Sequence, residues 1–302
     1  MNIKMMETVL VIGGDRRLSF LAEELTGHFG KVVLCMETED RGGKSSVNKH
    51  INIEACDADS VAEMMKQADI IVGPVPFSRD GVHIFSQGEE KVRIEDFCLG
   101  LRKKQILFGG NIPAKVISEA EKKGVFCRDF LRMEEVEQKN ALTTAEGAVA
   151  EAIGLSVNNI HSGKCMVLGY GKCGKAIAGL LKEWGIDTTI AARSETALAQ
   201  AGAEGYHTVL IKDMSDVISD MLFIFNTVPA RVIKEEEISV LKEDAVIIDI
   251  ASAPGGTDFA ACERAGIKAV LSLGIPGRYS PKTSAEILLR AILEEREKMV
   301  EL

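Results

Sequence analysis

No Cys-x-x-Cys pair occurs in this chain of 302 residues, and its five histidines show no metal-binding spacing. The seven cysteines, an odd number, are scattered at 35, 56, 98, 127, 165, 173 and 262, so neither a disulfide framework nor a zinc site is expected. No apolar run reaches the roughly 18 residues that a membrane helix needs. The start, MNIKMMETVLVIGG, runs straight into a strand, so no signal peptide is expected either. A basic surplus is also missing. The 36 Lys and Arg against 45 Asp and Glu leave a net charge of −9 and a pI near 5.3, which argues against a nucleic-acid or polyanion surface; with no apolar run long enough for a membrane helix, no membrane partner is expected. These absences point to a cytoplasmic protein in a reducing compartment. At 46% hydrophobic and 27% charged, it is an ordinary globular chain with room for two domains.

The most informative stretch is CMVLGYGKCGKAIAGLLKEWGIDTTIAARS, Cys165 to Ser194. It reads as strand, glycine-rich turn, amphipathic helix and second strand, a unit that holds a dinucleotide pyrophosphate. Gly169 allows the tight turn, Gly171 lets the backbone approach the phosphates, and Gly174 lets helix pack on strand. Tyr170, Lys172 and Cys173 complete the loop, and Cys173 reads as a small filler rather than a nucleophile. The helix N-terminus presents N–H groups and a positive dipole end to the anion. At the end of the second strand, where an acidic residue would hold the ribose of NAD, stand Arg193 and Ser194. A guanidinium suits a 2′-phosphate, so NADP is expected, with NAD possible; otherwise Arg193 is a solvated strand-end charge. Later strand-end loops should flank the ribose and nicotinamide: Thr227, Val228 and Pro229, then Asp249, Ala251 and Ser252, then Gly274. Thr227 can bond a ribose hydroxyl. Pro229 is a wall or simply a strand end, and Asp249 either takes part in the site or orients a neighbouring loop.

Strand and helix patterns alternate along the chain, which implies α/β architecture with parallel sheets. Strands are expected near 165–168, 187–192, 207–210, 221–225, 245–249 and 268–272, the six of a full doubly wound domain. The first half offers strands near 9–12, 31–35, 69–72, 104–108 and 125–127, but its turn GGDRRL lacks the full glycine fingerprint. Lys44–Ile53 reads as loop with a short edge strand. The expected division is a Rossmann-like substrate domain, 1–142, and a dinucleotide-binding Rossmann domain, 143–282. Thr143 or Thr144 should cap the helix that opens the second domain. The final helix, 283–302, should return to the first, leaving a cleft between the domains.

NALTTAEGAVAEAI, the Gly163–Ser194 stretch, FNTVPARVI, IDIASAPGGTDF, GIPGRYSPKTSAEIL and the N-terminal VIGGDRR together resemble the family of dipicolinate synthase A subunits over nearly the whole chain. The resemblance implies oxidation of dihydrodipicolinate to dipicolinate with a nicotinamide cofactor. It also implies a flavoprotein-like second subunit, with work in the mother cell of a sporulating bacterium; a homo-oligomer is expected. In domain plan the chain is also similar to D-2-hydroxyacid dehydrogenases, but it departs where their chemistry sits. Ser252 stands in the region of their arginine, and Ser280-Pro281-Lys282 replaces their histidine turn. The usual proton donor for reducing a carbonyl is therefore missing, whereas aromatising a dihydropyridine needs only a weak base. Lys282 and Ser252 are the catalytic candidates. A dicarboxylate needs cations and donors. Arg16, Arg17, Ser78 and Arg79 are candidates, with a solvated surface charge the alternative for each arginine. Thr144 and Glu146 could offer helix-start N–H groups or merely cap. Two other readings remain: a non-catalytic NADP-binding subunit that recruits or regulates the partner, and a 2-hydroxyacid or amino-acid dehydrogenase.

Overall fold

The computed structural model describes residues 6–36 and 53–300. These form two compact units, one up to Lys139 together with Ser280 onward, the other Asn140–Tyr279. The limits fall at 139/140 and 279/280, where 142/143 and 282/283 were expected.

The first unit holds β1 (Thr8–Ile12), α1 (Arg16–Leu25), β2 (Lys31–Cys35), β3 (Ile53–Cys56), α2 (Val61–Gln67) and β4 (Ile70–Val72). It continues through α3 (Ile94–Gly100), β5 (Ile106–Gly109), α4 (Ala114–Lys122), β6 (Phe126–Asp129) and the start of α5 (Glu134–Leu155). Its six strands are all parallel, in the order β3-β2-β1-β4-β5-β6. Runs such as VLVI, VVLC and IIV are buried on both faces, which is why they read as unbroken apolar stretches rather than alternating ones. Of the loop expected at Lys44–Ile53, only Ile53 lies within the described residues; it opens the edge strand β3.

One expectation is corrected there. Cys35 and Cys56 are register partners at the ends of β2 and β3 and are joined as a disulfide, with Cα atoms 4.5 Å apart. The two lie 21 positions apart in the chain. Strand register brings them together, and a count of cysteine spacings does not contain register.

The second unit holds β7 (Lys164–Leu168), α6 (Lys172–Glu183), β8 (Thr188–Ala192), α7 (Glu195–Ala203), β9 (His207–Leu210) and β10 (Met221–Asn226). Then come α8 (Glu235–Ser239), β11 (Val246–Asp249), α9 (Phe259–Ala265), β12 (Lys268–Leu271) and α10 (Ile275–Tyr279). Its sheet is again parallel and six-stranded, in the order β12-β11-β10-β7-β8-β9. All six expected strands are present. The long apolar core lies on both faces of the sheet, with α6 (Ile177, Ala178, Leu181) on one side and α9 (Ala261, Cys262) on the other.

α5 corrects the expected helix start. It runs unbroken through Thr143 and Thr144, with Glu134, Glu135 and Glu137 in its first turn, where carboxylates suit the positive dipole end. The Thr143 and Thr144 hydroxyls donate instead to the Asn140 carbonyl, at 3.1 and 2.6 Å, a bond open to such residues inside a helix.

The last helix, α11 (Pro281–Val300), packs in the first unit, where Ala285, Leu288 and Ile292 share one core with Leu18, Leu21 and Leu25 of α1. Arg296 forks onto the Glu7 carboxylate (2.6–3.1 Å), just before β1 begins. That contact ties the late turns of α11 to the N-terminal edge of the sheet. The neighbouring Glu295 meets Arg128 of β6, so the same turn of α11 also reaches the edge strand of the sheet.

Candidate functional site

In each sheet the strand order reverses between two neighbours, β1 and β4 in the first, β7 and β10 in the second. At such a point the loops leaving the two strands diverge and open a crevice, where ligands of this architecture bind. The two crevices are built differently.

In the second, the three glycines of the β7–α6 turn have three distinct reasons to be glycine. Gly169 sits at φ +90, a conformation L side chains avoid, and a Cβ there would meet the Thr227 hydroxyl. A Cβ at Gly174 would run into the carbonyl oxygen of Gly169, so its absence lets α6 close on the turn. At Gly171 a Cβ would meet no protein atom within 4 Å. Internal packing does not require a glycine there. Gly171 is also the N-cap residue of α6, and no side chain caps that helix. The end of the helix dipole is left facing the crevice.

The surrounding loops are held by bonds internal to the protein, and this changes several sequence-based expectations. The Thr227 hydroxyl donates to the Leu168 carbonyl at 2.8 Å, so its proton is not the one offered to a ribose. Val228 is a core residue, its N–H bonded to the buried Asn226 side chain at 3.0 Å, while Pro229 is exposed. Asp249 is fully buried and accepts from the Ala251 and Gly256 amides (3.0 and 2.7 Å) and the Thr257 hydroxyl (2.7 Å). Of its two readings, loop orientation is the one observed. Ala251 is buried beside it, and Ser252 is exposed on the loop it shapes. Gly274, at φ +69, gives its carbonyl to the Gly277 and Arg278 amides of α10. Tyr170 turns away: its ring meets Tyr206 edge-on and its hydroxyl donates to Glu204 at 2.7 Å, so only its backbone is left for a ligand. Burial, with Glu204 beside it, pushes that phenol well above its ordinary range.

At the end of β8, Ala192 is followed by Arg193, exposed and without an ion-pair partner among the described residues. Ser194 caps α7, accepting the Ala197 amide at 3.3 Å. Lys172 is exposed and Cys173 half-buried at the start of α6. Sequence reasoning missed a cluster at the end of β12, where the buried Ser272 and the exposed Arg278 both donate to Glu151 of α5. Its members are 121 and 127 positions from Glu151 and carry no local signal.

In the first unit the turn after β1 is closed. Gly13 and Gly14 have φ +63 and +92, and a Cβ at Gly13 would come within 2.6 Å of the Phe85 carbonyl oxygen. The Gly14 amide donates to that same oxygen at 2.7 Å, and Gln87 donates back to Gly14. Asp15 caps α1, accepting the Arg17 amide, and forks with the Arg17 guanidinium at 2.8 and 2.7 Å; both residues are buried. Arg17 also donates to the Val75 carbonyl in the loop after β4. It is thus a buried structural cation, not the substrate contact expected of it. Arg16 is exposed, 5.9 Å above the Phe20 ring. Ser78 closes its own turn, accepting the Gly81 amide at 3.0 Å. Arg79 is exposed in the loop after β4 and stacked 3.8 Å over Phe85.

Thr144 and Glu146 lie inside α5, where their amides serve the helix, so the expected helix-start donors are absent. Lys282 is exposed in the first turn of α11, in the first unit, while Ser252 belongs to the second. Among the described residues no group of three His, Cys, Asp or Glu could hold a metal, and no helix is long and apolar enough to cross a membrane.

Fold and site together define a two-domain α/β protein with a nicotinamide-dinucleotide-binding domain. The comparisons agree on that class: residues 141–287 match the NAD-binding domain of S-adenosyl-L-homocysteine hydrolase. Residues 8–131 match the N-terminal domain of the dipicolinate synthase A subunit. The A subunit of dipicolinate synthase from Bacillus subtilis is 29% identical over 291 residues, 94% of each chain. Its crystal structure superposes with a TM-score of 0.78 at 25% identity, covering 98% of this chain and 99% of the other. The corresponding protein from Bacillus halodurans gives 0.82 at 24%, covering 97% and 98%. By sequence and by fold, then, the chain is similar to the dipicolinate synthase A subunit along nearly its whole length.

Proposed function

We propose that this chain is the NADP-binding oxidoreductase subunit of a dipicolinate synthase, which oxidises dihydrodipicolinate to dipicolinate. The observation that carries the reading is the open, uncapped start of α6 at Gly171, in a chain related to the A subunit over both domains. When bound, the nicotinamide supplies a hydride acceptor. Gly169, Gly171 and Gly174 shape the turn that receives the pyrophosphate, and Arg193 favours a 2′-phosphate where an acidic residue would repel it. Pro229, Ser252 and Gly274 line the loops toward the ribose and nicotinamide. Asp249 and Thr227 act one step back by fixing those loops. Lys282, exposed in the first turn of α11, is the candidate contact for substrate or for the proton that aromatisation releases.

The names of the relatives imply a second subunit, and the family resemblance makes it flavoprotein-like. The setting it suggests is the cytoplasm of a spore-forming mother cell, with this chain as a homo-oligomer. The alternative is that this protein binds NADP and recruits the partner without doing the chemistry. One experiment separates them. Freshly generated dihydrodipicolinate and NADP are mixed with the purified chain, with and without the second subunit, and NADPH formation is followed. Turnover by the chain alone supports the oxidoreductase reading. Turnover that needs the partner supports the recruiting role.

A further inference from the structure

Arg79 stands at the strand-end edge of the first sheet, and the two carboxylates beside it are committed elsewhere. Asp15 is held in a two-bond fork by the buried Arg17. Asp80, its neighbour in the chain, accepts the Val82 and His83 amides and the His83 ring, each at 2.8 Å. Among the described residues Arg79 has no ion-pair partner. Its guanidinium instead lies flat on Phe85, 3.8 Å from the ring centre, a platform that fixes the plane of the fork while leaving its N–H edge unused.

The same neighbourhood rejects a dinucleotide. Where a pyrophosphate would approach the α1 turn stand the Phe85 carbonyl, already taken by the Gly14 amide, and the Asp15 carboxylate that caps the helix. Asp15 and Arg17 pair with each other, so neither neutralises Arg79 as an ion-pair partner. Desolvation weakens its hold on the proton, with Asp15 opposing and Arg17 adding to the effect, but a guanidinium stays charged throughout the neutral range.

We propose that Arg79, held on Phe85, binds a carboxylate of the small acid taken by the first domain, and that the Asp15–Arg17 pair keeps it free to do so. A planar fork matches a planar carboxylate through two parallel bonds. Arg17 contributes a second time by donating to Val75, which anchors the loop that carries Arg79. The proposal rests on the functional reading above only in the choice of first probe.

The test is calorimetric titration of the full chain, with NADP present, using dipicolinate, isophthalate, glutarate and inorganic phosphate. Wild type is compared with Arg79→Gln, Arg79→Lys and Phe85→Leu, and NADP affinity and thermal unfolding are measured for each. Acids that bind wild type should weaken about 10- to 100-fold in Arg79→Gln, the span expected for a charge-assisted pair. The loss should be smaller in Arg79→Lys and Phe85→Leu, with NADP affinity unchanged. If isophthalate or glutarate binds through Arg79 and dipicolinate does not, the carboxylate site stands and the substrate assignment falls. The proposal is overturned if Arg79→Gln keeps wild-type acid affinity, if phosphate binds as tightly as the acids, or if no acid binds wild type.

Discussion

The chain carries two glycine turns at equivalent places, Gly13-Gly14-Asp15 after β1 and Gly169-Tyr170-Gly171 after β7, each at the reversal point of a six-stranded parallel sheet. Their positive-φ glycines look alike, at +63 and +92 in one and +90 in the other. The start of the next helix separates them. After β1 the helix is capped by an acid and the turn is covered by the Phe85 carbonyl. After β7 the helix is uncapped and the space beyond Gly171 is empty of protein. The two turns thus share their backbone form and differ in what stands at the helix cap, an acid in one and a bare glycine in the other.

The largest effects should come from the glycines of the second turn, and they should differ in kind. Gly171→Val places its branch in open space, so unfolding should shift by no more than the roughly 1 kcal/mol of a poor N-cap residue while NADP affinity falls at least about 100-fold, the loss of two or more charge-assisted bonds. Gly174→Val forces a branch onto the Gly169 carbonyl and should cost about 3 kcal/mol or more of stability, read by urea unfolding. Equal stability loss in both would erase the distinction between a glycine kept for the ligand and one kept for packing.

The next pair compares the two buried carboxylates. Arg17→Met leaves Asp15 buried without its cation and should destabilise by about 3–5 kcal/mol. Asp249→Ala strands two amides and a hydroxyl inside the second domain and should cost about 3–5 kcal/mol, each orphaned donor carrying about 1–3. Chemical denaturation monitors both. Losses below 1 kcal/mol would show that water replaces these partners.

Arg193→Glu sharpens the cofactor assignment. NADP should weaken about 10- to 100-fold, and NAD much less, because only NADP has the 2′-phosphate. A matched loss for both cofactors, or none, would return Arg193 to the solvated surface.

The smallest effect concerns the turn that carries Arg79. The His83 amide, then the His83 ring and the Val82 amide, hold the Asp80 carboxyl far below the ordinary value of 3.8. Since the folded-state value is depressed, the support it gives the turn is present above pH 3.8 and is lost only as pH falls through the lower value. The Val82 and His83 amides should therefore keep their hydrogen-exchange protection, relative to flanking loop amides, below pH 3.8. Loss of protection at the ordinary carboxylate value would contradict that arrangement.

The sequence made the scaffold and the glycine turn legible because both are local. Strands buried on both faces are continuous apolar runs, and Gly169, Gly171 and Gly174 carry their spacing with them. The final helix was also readable, as a long amphipathic stretch after the last strand. What escaped depends on partners distant in the chain. Arg17 looks like a surface cation until Val75, 58 positions on, covers it. The Tyr170 hydroxyl finds Glu204, and the Cys35–Cys56 pair needs strand register. Thr143 and Thr144 mimicked a cap because hydroxyls that suit helix starts can also bond back to a carbonyl inside a helix, as both do to Asn140.

The central claim is that one domain admits a dinucleotide and the other does not. Its most direct measurement is the stoichiometry of NADP binding by titration calorimetry, in wild type and in Gly171→Val. The account predicts one NADP per chain in wild type and none at comparable affinity in the variant. Two per chain, or one that survives Gly171→Val, would contradict it.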